Sequence, residues 1–357
     1  MLNHLNKIET HGIYQLHDDV LNFFQNCINY NEEFGEVLFS DNLWAVISAA
    51  KDLEGYFVTC FNALNENGVD KQIIYDNLLA NNRVVEFCRG DVSYEQIDIE
   101  IYNDVNSAII TLYGFLWSST MNNATTKSLY GDIKSHYNDF FDANCVPLNL
   151  CPFCGLERYL RPKKMNWRDD YDHYLYQKNY PFLRINFDNL VPMPGFCNGK
   201  YVKHVQDMLK VHETNIPRLA YYPYHNVADF TISISCVEMF SENEEWSITL
   251  KREGEDFSEE FETWKTVFKI EGRFLNEIEE HYESWIIELY NRNIEDIPDD
   301  IASLDLAING QIADLKKRAV VPGYFLHDKF WQFILISEDI IKEQILFFID
   351  QSKELVA

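Results

Sequence analysis

Apolar residues recur at helical spacing along the first 144 residues of the chain. Leu16, Val20, Phe23, Phe24, Cys27 and Ile28 fall on one helical face. Ser40 is placed to cap a helix whose apolar positions include Leu43, Trp44, Ile47, Ala50, Leu53 and Phe57. Ile101, Val105, Ala108, Ile109, Leu112, Phe115 and Leu116 mark a third helix, and Leu129, Ile133, Tyr137, Phe140 and Phe141 a fourth. Polar breaks such as NENGVD separate them. Beyond residue 220 the period becomes two. Phe230, Ile232, Ile234 and Cys236 alternate with polar residues, as do Trp246, Ile248 and Leu250 after the turn SENEE, and WKTVFKI is expected to add a third strand. The period then returns to 3.6, through Phe274, Leu275, Ile278, Tyr282, Trp285, Ile286 and Leu289, with further helices expected near 298–318 and 328–353. The pattern predicts an α+β fold. It has a helical arm over 1–144, a central segment over 145–219 and a small antiparallel sheet packed with helices over 220–357.

Hydrophobic residues make up 46% of the 357, enough for a sizeable core and too many for a disordered chain. The longest apolar run, SAIITLYGFLW, falls short of the 18 or so residues of a membrane span, and MLNHLNKIETHG lacks the apolar core of a signal peptide. The expectation is a cytoplasmic protein. The eight cysteines are mostly isolated in apolar runs, which is the pattern of reduced, buried thiols and not of a disulfide framework.

The formal net charge is −27, an unexpected balance for a protein that handles nucleic acid. The distribution changes the picture: residues 151–220 carry eleven Lys and Arg against seven Asp and Glu. Surface charges are screened over roughly 8 Å at physiological salt, so a locally basic segment can meet phosphates while distant acidic faces do not matter.

The candidate chemistry lies in that segment. Cys151-Pro-Phe-Cys154-Gly155 has the spacing of a knuckle that aims two thiolates at one metal ion. Cys197 follows as a third thiol. Three thiols leave such a site one ligand short, and Cys145 could supply the fourth by looping back. His204, seven residues on, would be about 10.5 Å away along a regular helix. Asp172-His173 pairs a carboxylate suited to a hard cation with an imidazole that can take a proton from water near neutral pH. Asp169 and Asp170 are expected to be solvated, His11 and His17 have no partner at ligand spacing, and His281, beside Tyr282, reads as a surface or core-edge residue.

In order and spacing, Cys151-x-x-Cys154, Asp172-His173, Asn189-Leu190 and Cys197-Asn198 resemble the HNH endonucleases, which carry a ββα-metal finger. The resemblance spans residues 151–203 and leaves both arms unaddressed. It implies a metal-dependent phosphodiester hydrolase acting on DNA rather than RNA. In that reading His173 is the general base, and Asp172 and Asn198 hold a catalytic Mg²⁺ or another divalent ion. Asn198 stands where many relatives have His. Asn189 matches the Asn that orients the base, with Asn186 as the alternative. Cys151, Cys154 and Cys197 would bind a structural Zn²⁺. Arg161, Lys163, Lys164, Lys200 and Lys203 would meet the phosphates. Chains with such a finger between unrelated arms look like those of bacterial anti-phage defence, where the partner is often an ATPase. The competing expectation is a catalytically silent, zinc-finger-like scaffold whose acidic surfaces dock a protein.

Overall fold

A computed structural model describes residues 4–95, 99–146, 148–162, 167–211, 214–225, 229–254, 258–317 and 321–356. The structure is α+β, mostly helical, with two small antiparallel sheets of two strands each. No helix among the described residues is long and apolar enough to cross a membrane. The chain divides into two compact units. A helical unit comprises His4–Val146 and Tyr159–Asn226, and a C-terminal unit is built on Pro147–Arg158 and Val227–Ala357. The central segment expected at 145–219 is therefore split between the two: its Cys-x-x-Cys knuckle groups with the C-terminal unit and the rest with the helical unit.

In the helical unit, α1 (Ile13–Cys27) buries Leu16, Val20, Phe23, Phe24 and Cys27, the face read from the sequence. Ser40 caps α2 (Asp41–Ser48) by accepting the Leu43 N–H at 3.2 Å. The helix expected to continue through Phe57 breaks at Ala50, which leaves helical geometry before α3 (Lys51–Leu64) begins. Two further helices, α4 (Lys71–Ala80) and α5 (Val84–Arg89), had no clear apolar stripe: α4 buries only Ile74 and Leu78, and α5 is six residues long. The long α6 (Ile99–Ser118) packs against α3. The expected fourth helix is two, α7 (Ala124–Tyr130) and α8 (Ile133–Asn144). They are separated by Gly131 at φ +82°, with a capping box between Asp132 and Ser135. A buried carboxylate joins these elements: Asp19 accepts from Ser40 Oγ at 2.7 Å and from Tyr130 Oη at 2.6 Å.

The same unit holds the first sheet. β1 (Asp170–His173) pairs antiparallel with β2 (Leu190–Met193), joined through a 3₁₀ turn at Pro181–Leu183. A short helix, α9 (Gly195–Asn198), follows and packs against β1. This helix ends at Asn198, and the chain continues in turns. Gly199 leaves the helix in extended geometry, and a Cβ there would meet the Gly195 carbonyl oxygen at 3.0 Å.

In the C-terminal unit, β3 (Phe230–Val237) pairs with β4 (Glu245–Arg252), with Ile232 opposite Leu250 and Ile234 opposite Ile248. The third strand expected at WKTVFKI does not form. Those residues end α10 (Ser258–Val267) and begin α11 (Ile270–Arg292), hinged at Lys269 in the left-handed region (φ +51°). Phe261, Trp264, Val267 and Phe268 are all buried and recur at spacings of three and four, a helical stripe that the short strand template hid. α12 (Ile301–Lys317), α13 (Tyr324–Ile336) and α14 (Asp339–Val356) complete the unit, the last two separated at Ser337. The sheet packs on α11 and α13.

The knuckle is anchored within this unit. Trp264 Nε1 donates to the Phe153 carbonyl at 2.7 Å, and Phe153 stacks on Phe268 with ring centroids 4.8 Å apart. Gly155 sits at φ +68°, and a Cβ there would come within 2.6 Å of the Phe325 ring. Glycine is required at that position both for its backbone angle and for the close approach.

Candidate active site

The β1–β2 hairpin is short and almost wholly buried: only Asp170 of its eight residues is exposed. Two-stranded hairpins are marginal alone, so this one depends on its surroundings. Each polar group it takes out of water must find a partner. Asn189, fully buried, supplies two. Its Oδ1 accepts the Leu175 N–H at 2.7 Å and its Nδ2 donates to the Leu175 carbonyl at 2.9 Å. Its own carbonyl accepts the Tyr174 N–H at 2.8 Å. Asn189 thus clamps the chain immediately after His173. Asn186 turns elsewhere, accepting from the Asp188 N–H at 2.8 Å and donating to Asn82 Oδ1 at 3.2 Å. Of the two candidates for the middle asparagine, Asn189 is the one built into the hairpin.

Asp172 and His173 are neighbours in a strand and so leave it on opposite sides. Their partners differ accordingly. His173 Nε2 lies 3.0 Å from the Arg184 carbonyl, and its ring packs edge-on against Trp117 with centroids 4.7 Å apart. A carbonyl only accepts, so Nε2 carries the proton and Nδ1 has the lone pair. Nδ1 makes no hydrogen bond among the described residues. Burial pushes the His173 pKa down to about 4, with Lys203 and Arg184 adding to the fall, so the imidazole is neutral at pH 7. Arg184 is itself tethered, donating from Nη1 to the Ile110 carbonyl of α6 at 2.8 Å.

Asp172 is buried, and burial raises its pKa, opposed by Lys203. Lys203 Nζ lies 2.7 Å from Asp172 Oδ2 and donates to the His173 carbonyl at 3.1 Å, with its side chain fully buried. This corrects the expectation for Lys203: it is an interior counter-ion and not a surface contact for phosphate. The same pair bears on the divalent ion expected at Asp172. The carboxylate already faces an ammonium, so the donor set Asp172 and Asn198 does not fit a divalent ion as it stands. Asn198, half-buried at the end of α9, makes no side-chain hydrogen bond among the described residues.

Of the remaining basic candidates, Arg161 and Lys200 are exposed, and Lys200 Nζ lies 4.6 Å over the ring of Tyr201, itself 66% exposed. Lys163 and Lys164 lie outside the described residues. Asp169, expected to be solvated, is buried instead. It accepts from Tyr137 Oη at 2.6 Å and the Leu160 N–H at 2.7 Å, and burial raises its pKa. Asp170 is exposed. Cys151, Cys154 and Cys197 are buried and in no disulfide; the first two lie in the C-terminal unit and Cys197 in the helical unit. Cys145, the candidate fourth ligand, is buried in the helical unit, and burial pushes its thiol up to about 12.

Sequence reasoning missed Trp117, Arg184 and the inward turn of Lys203. Trp117 lay in an apolar stripe with nothing to mark it, and Arg184 acts through its backbone carbonyl, which no residue type announces. No protein-family model matches the chain, and neither does any curated protein or solved structure.

Asn189→Ala removes both bonds to Leu175 and leaves a buried N–H and a buried carbonyl unpaired, at about 1–3 kcal/mol for each group. Urea unfolding is expected to show a loss of roughly 3 kcal/mol for Asn189→Ala and about 1 kcal/mol for Asn186→Ala. Equal losses would mean that Asn189 has no special place in the hairpin.

Proposed function

We propose that the protein is a metal-dependent endonuclease of the HNH type that hydrolyses phosphodiester bonds of DNA, with His173 as general base. The observation that carries this reading is the state of His173. A neutral imidazole is held by the Arg184 carbonyl and the Trp117 ring, with the Nδ1 lone pair in no hydrogen bond among the described residues. That is what proton abstraction from an attacking water requires. Asn189 fixes the chain beside it. Exposed Lys200 and Tyr201 add a cation and an aromatic face, the pairing by which proteins hold a nucleic-acid strand. A divalent ion would supply charge neutralisation at the phosphate and the leaving oxygen. Asp172 is engaged by Lys203.

The same reading gives Cys151, Cys154 and Cys197 a structural Zn²⁺, supported by the Cys-x-x-Cys spacing and by thiolate preference for zinc. It also places the protein in bacterial anti-phage defence with a partner ATPase. That extension rests on the resemblance and on the acidic balance of residues 227–357, where 29 Asp and Glu outnumber 12 Lys and Arg. The Asp172–Lys203 pair favours the second reading, a silent scaffold with acidic docking surfaces, because it takes the metal-directed carboxylate out of play.

Plasmid nicking with Mg²⁺ or Mn²⁺ separates the two. General-base removal costs about 10²–10⁴ in rate, so His173→Ala is expected to fall at least about 100-fold. A base with its pKa near 4 must stay active down to about pH 5 and lose activity as the pH falls through about 4. Equal nicking by wild type and His173→Ala would remove the enzyme reading. Metal analysis checks the zinc separately. About one Zn²⁺ per chain is expected, lost in Cys151→Ser, and zinc that survives this change would mean other ligands hold it.

A further inference from the structure

A helix on the surface of a globular protein turns one apolar stripe to the core and polar residues to water. In the C-terminal unit α14 carries two. Inward it turns Ile345 and Ile349, both buried, together with Lys342, whose Nζ is paired with Asp305 at 2.8 Å. On another side Ile340, Glu343, Gln344, Phe347, Phe348 and Gln351 recur at i, i+3, i+4, i+7, i+8 and i+11, one continuous face. Ile340 is 62% exposed and Phe347 is 65% exposed. This second face borders a cavity of about 720 Å³. Exposed apolar side chains gathered at a cavity and rimmed by polar groups mark a docking site, which singly scattered ones do not.

The other walls come from α11, through Tyr282 and Glu283, and from the turn between β3 and β4, through Met239, Phe240 and Glu244. In that turn Glu238 and Phe240 hold positive φ, at +52° and +64°, which residues with side chains rarely adopt. The Phe240 ring stacks on Phe348 with centroids 4.9 Å apart. The Phe240 N–H donates to Glu244 Oε2 at 2.6 Å, and Tyr282 Oη donates to the same oxygen at 2.9 Å. Trp246 Nε1 donates to Glu244 Oε1 at 2.8 Å. All three donors are neutral, so they fix the carboxylate without cancelling its charge. Glu283 and Glu343 are exposed, and no described lining residue is Lys or Arg.

We propose that this groove docks a basic amphipathic helix of a partner protein. The apolar stripe of that helix lies on Ile340, Phe347 and the Phe240–Phe348 pair, and its Lys and Arg face Glu244, Glu283 and Glu343. Shape and charge choose the occupant. From Ile340 to Gln351 the face runs about three turns, roughly 16 Å, and walls built on two helices suit a third laid along them. Aromatic rings beside carboxylates favour cations, because an ammonium or guanidinium attracts both while its stem covers apolar surface. A second copy of this chain would bring its own net charge of −27 to an acidic groove, and an anionic lipid surface is repelled on the same ground. Nothing in this groove depends on the chemistry proposed for His173.

Fluorescence anisotropy of three labelled helical peptides with the full chain tests this. All three share one stripe of Leu, and the flanking positions are all Lys, all Gln or all Glu. The Lys peptide is expected to bind wild type at least about ten-fold more tightly than the Gln peptide, and the Glu peptide not to bind. Phe347→Asp, a change at an exposed position, is expected to weaken the Lys peptide at least about ten-fold. Glu283→Lys combined with Glu343→Lys is expected to make the Glu peptide the tighter binder. A Lys peptide that does not bind, or a preference that these changes leave as it was, overturns the proposal. So does a dimer in sedimentation that Phe347→Asp dissolves, which would give the groove to a second copy. Binding to phosphatidylserine vesicles that Phe347→Asp abolishes would give it to a membrane and overturns the proposal equally. Circular dichroism checks that each variant folds, and should one not fold, the order of the three peptides on wild type decides. No readout involves cleavage or metal, so failure of the nicking assay and failure of this test are distinguishable.

Discussion

The constraint that governs the candidate site is the cost of burying polar groups. The β1–β2 hairpin contributes only four residue pairs, yet it takes Asp172, His173 and Asn189 out of water. Each must find a partner inside the protein, and each finds a different one: Lys203 for Asp172, the Arg184 carbonyl for His173, the Leu175 backbone for Asn189. These bonds, more than the ladder itself, hold the hairpin in register. They also set its chemistry. The bond that orients His173 fixes which ring nitrogen is bare, and the ion that neutralises Asp172 decides what else that carboxylate can hold.

The helices of the same unit are part of this arrangement. α6 brings Trp117 against the His173 ring and offers the Ile110 carbonyl to Arg184. Gly114 leaves room for that guanidinium, since a Cβ there would meet Arg184 Nη1 at 2.9 Å. Asp169, one residue before β1, is anchored by Tyr137 of α8. The residues before the knuckle thus form two sides of the hairpin's surroundings and are not a separate arm.

Much of this was legible in the sequence, and what was not has physical reasons. The buried face of α1, the Ser40 cap and the alternation of β3 and β4 follow from spacing alone. Asp172-His173 and Asn189 were marked by residue type and order, and the structure sets them in one hairpin. The strand expected at WKTVFKI failed because a seven-residue window admits both periods, and the helical one was decided by Phe261 outside it. The breaks at Ala50 and Ser337 lie within apolar stripes that continue across them. Lys203 read as a surface cation because a lysine is nearly always exposed, and only the surroundings of Asp172 reverse that.

The proposed chemistry requires a neutral His173 with the proton on Nε2 and Nδ1 bare. Nitrogen-15 resonance of the imidazole, assigned by comparison with His173→Gln, measures both the tautomer and the titration. The expected result is the Nε2–H form at pH 7, persisting until the ring titrates near pH 4. A proton on Nδ1, or titration near the ordinary value of about 6.5, would contradict it.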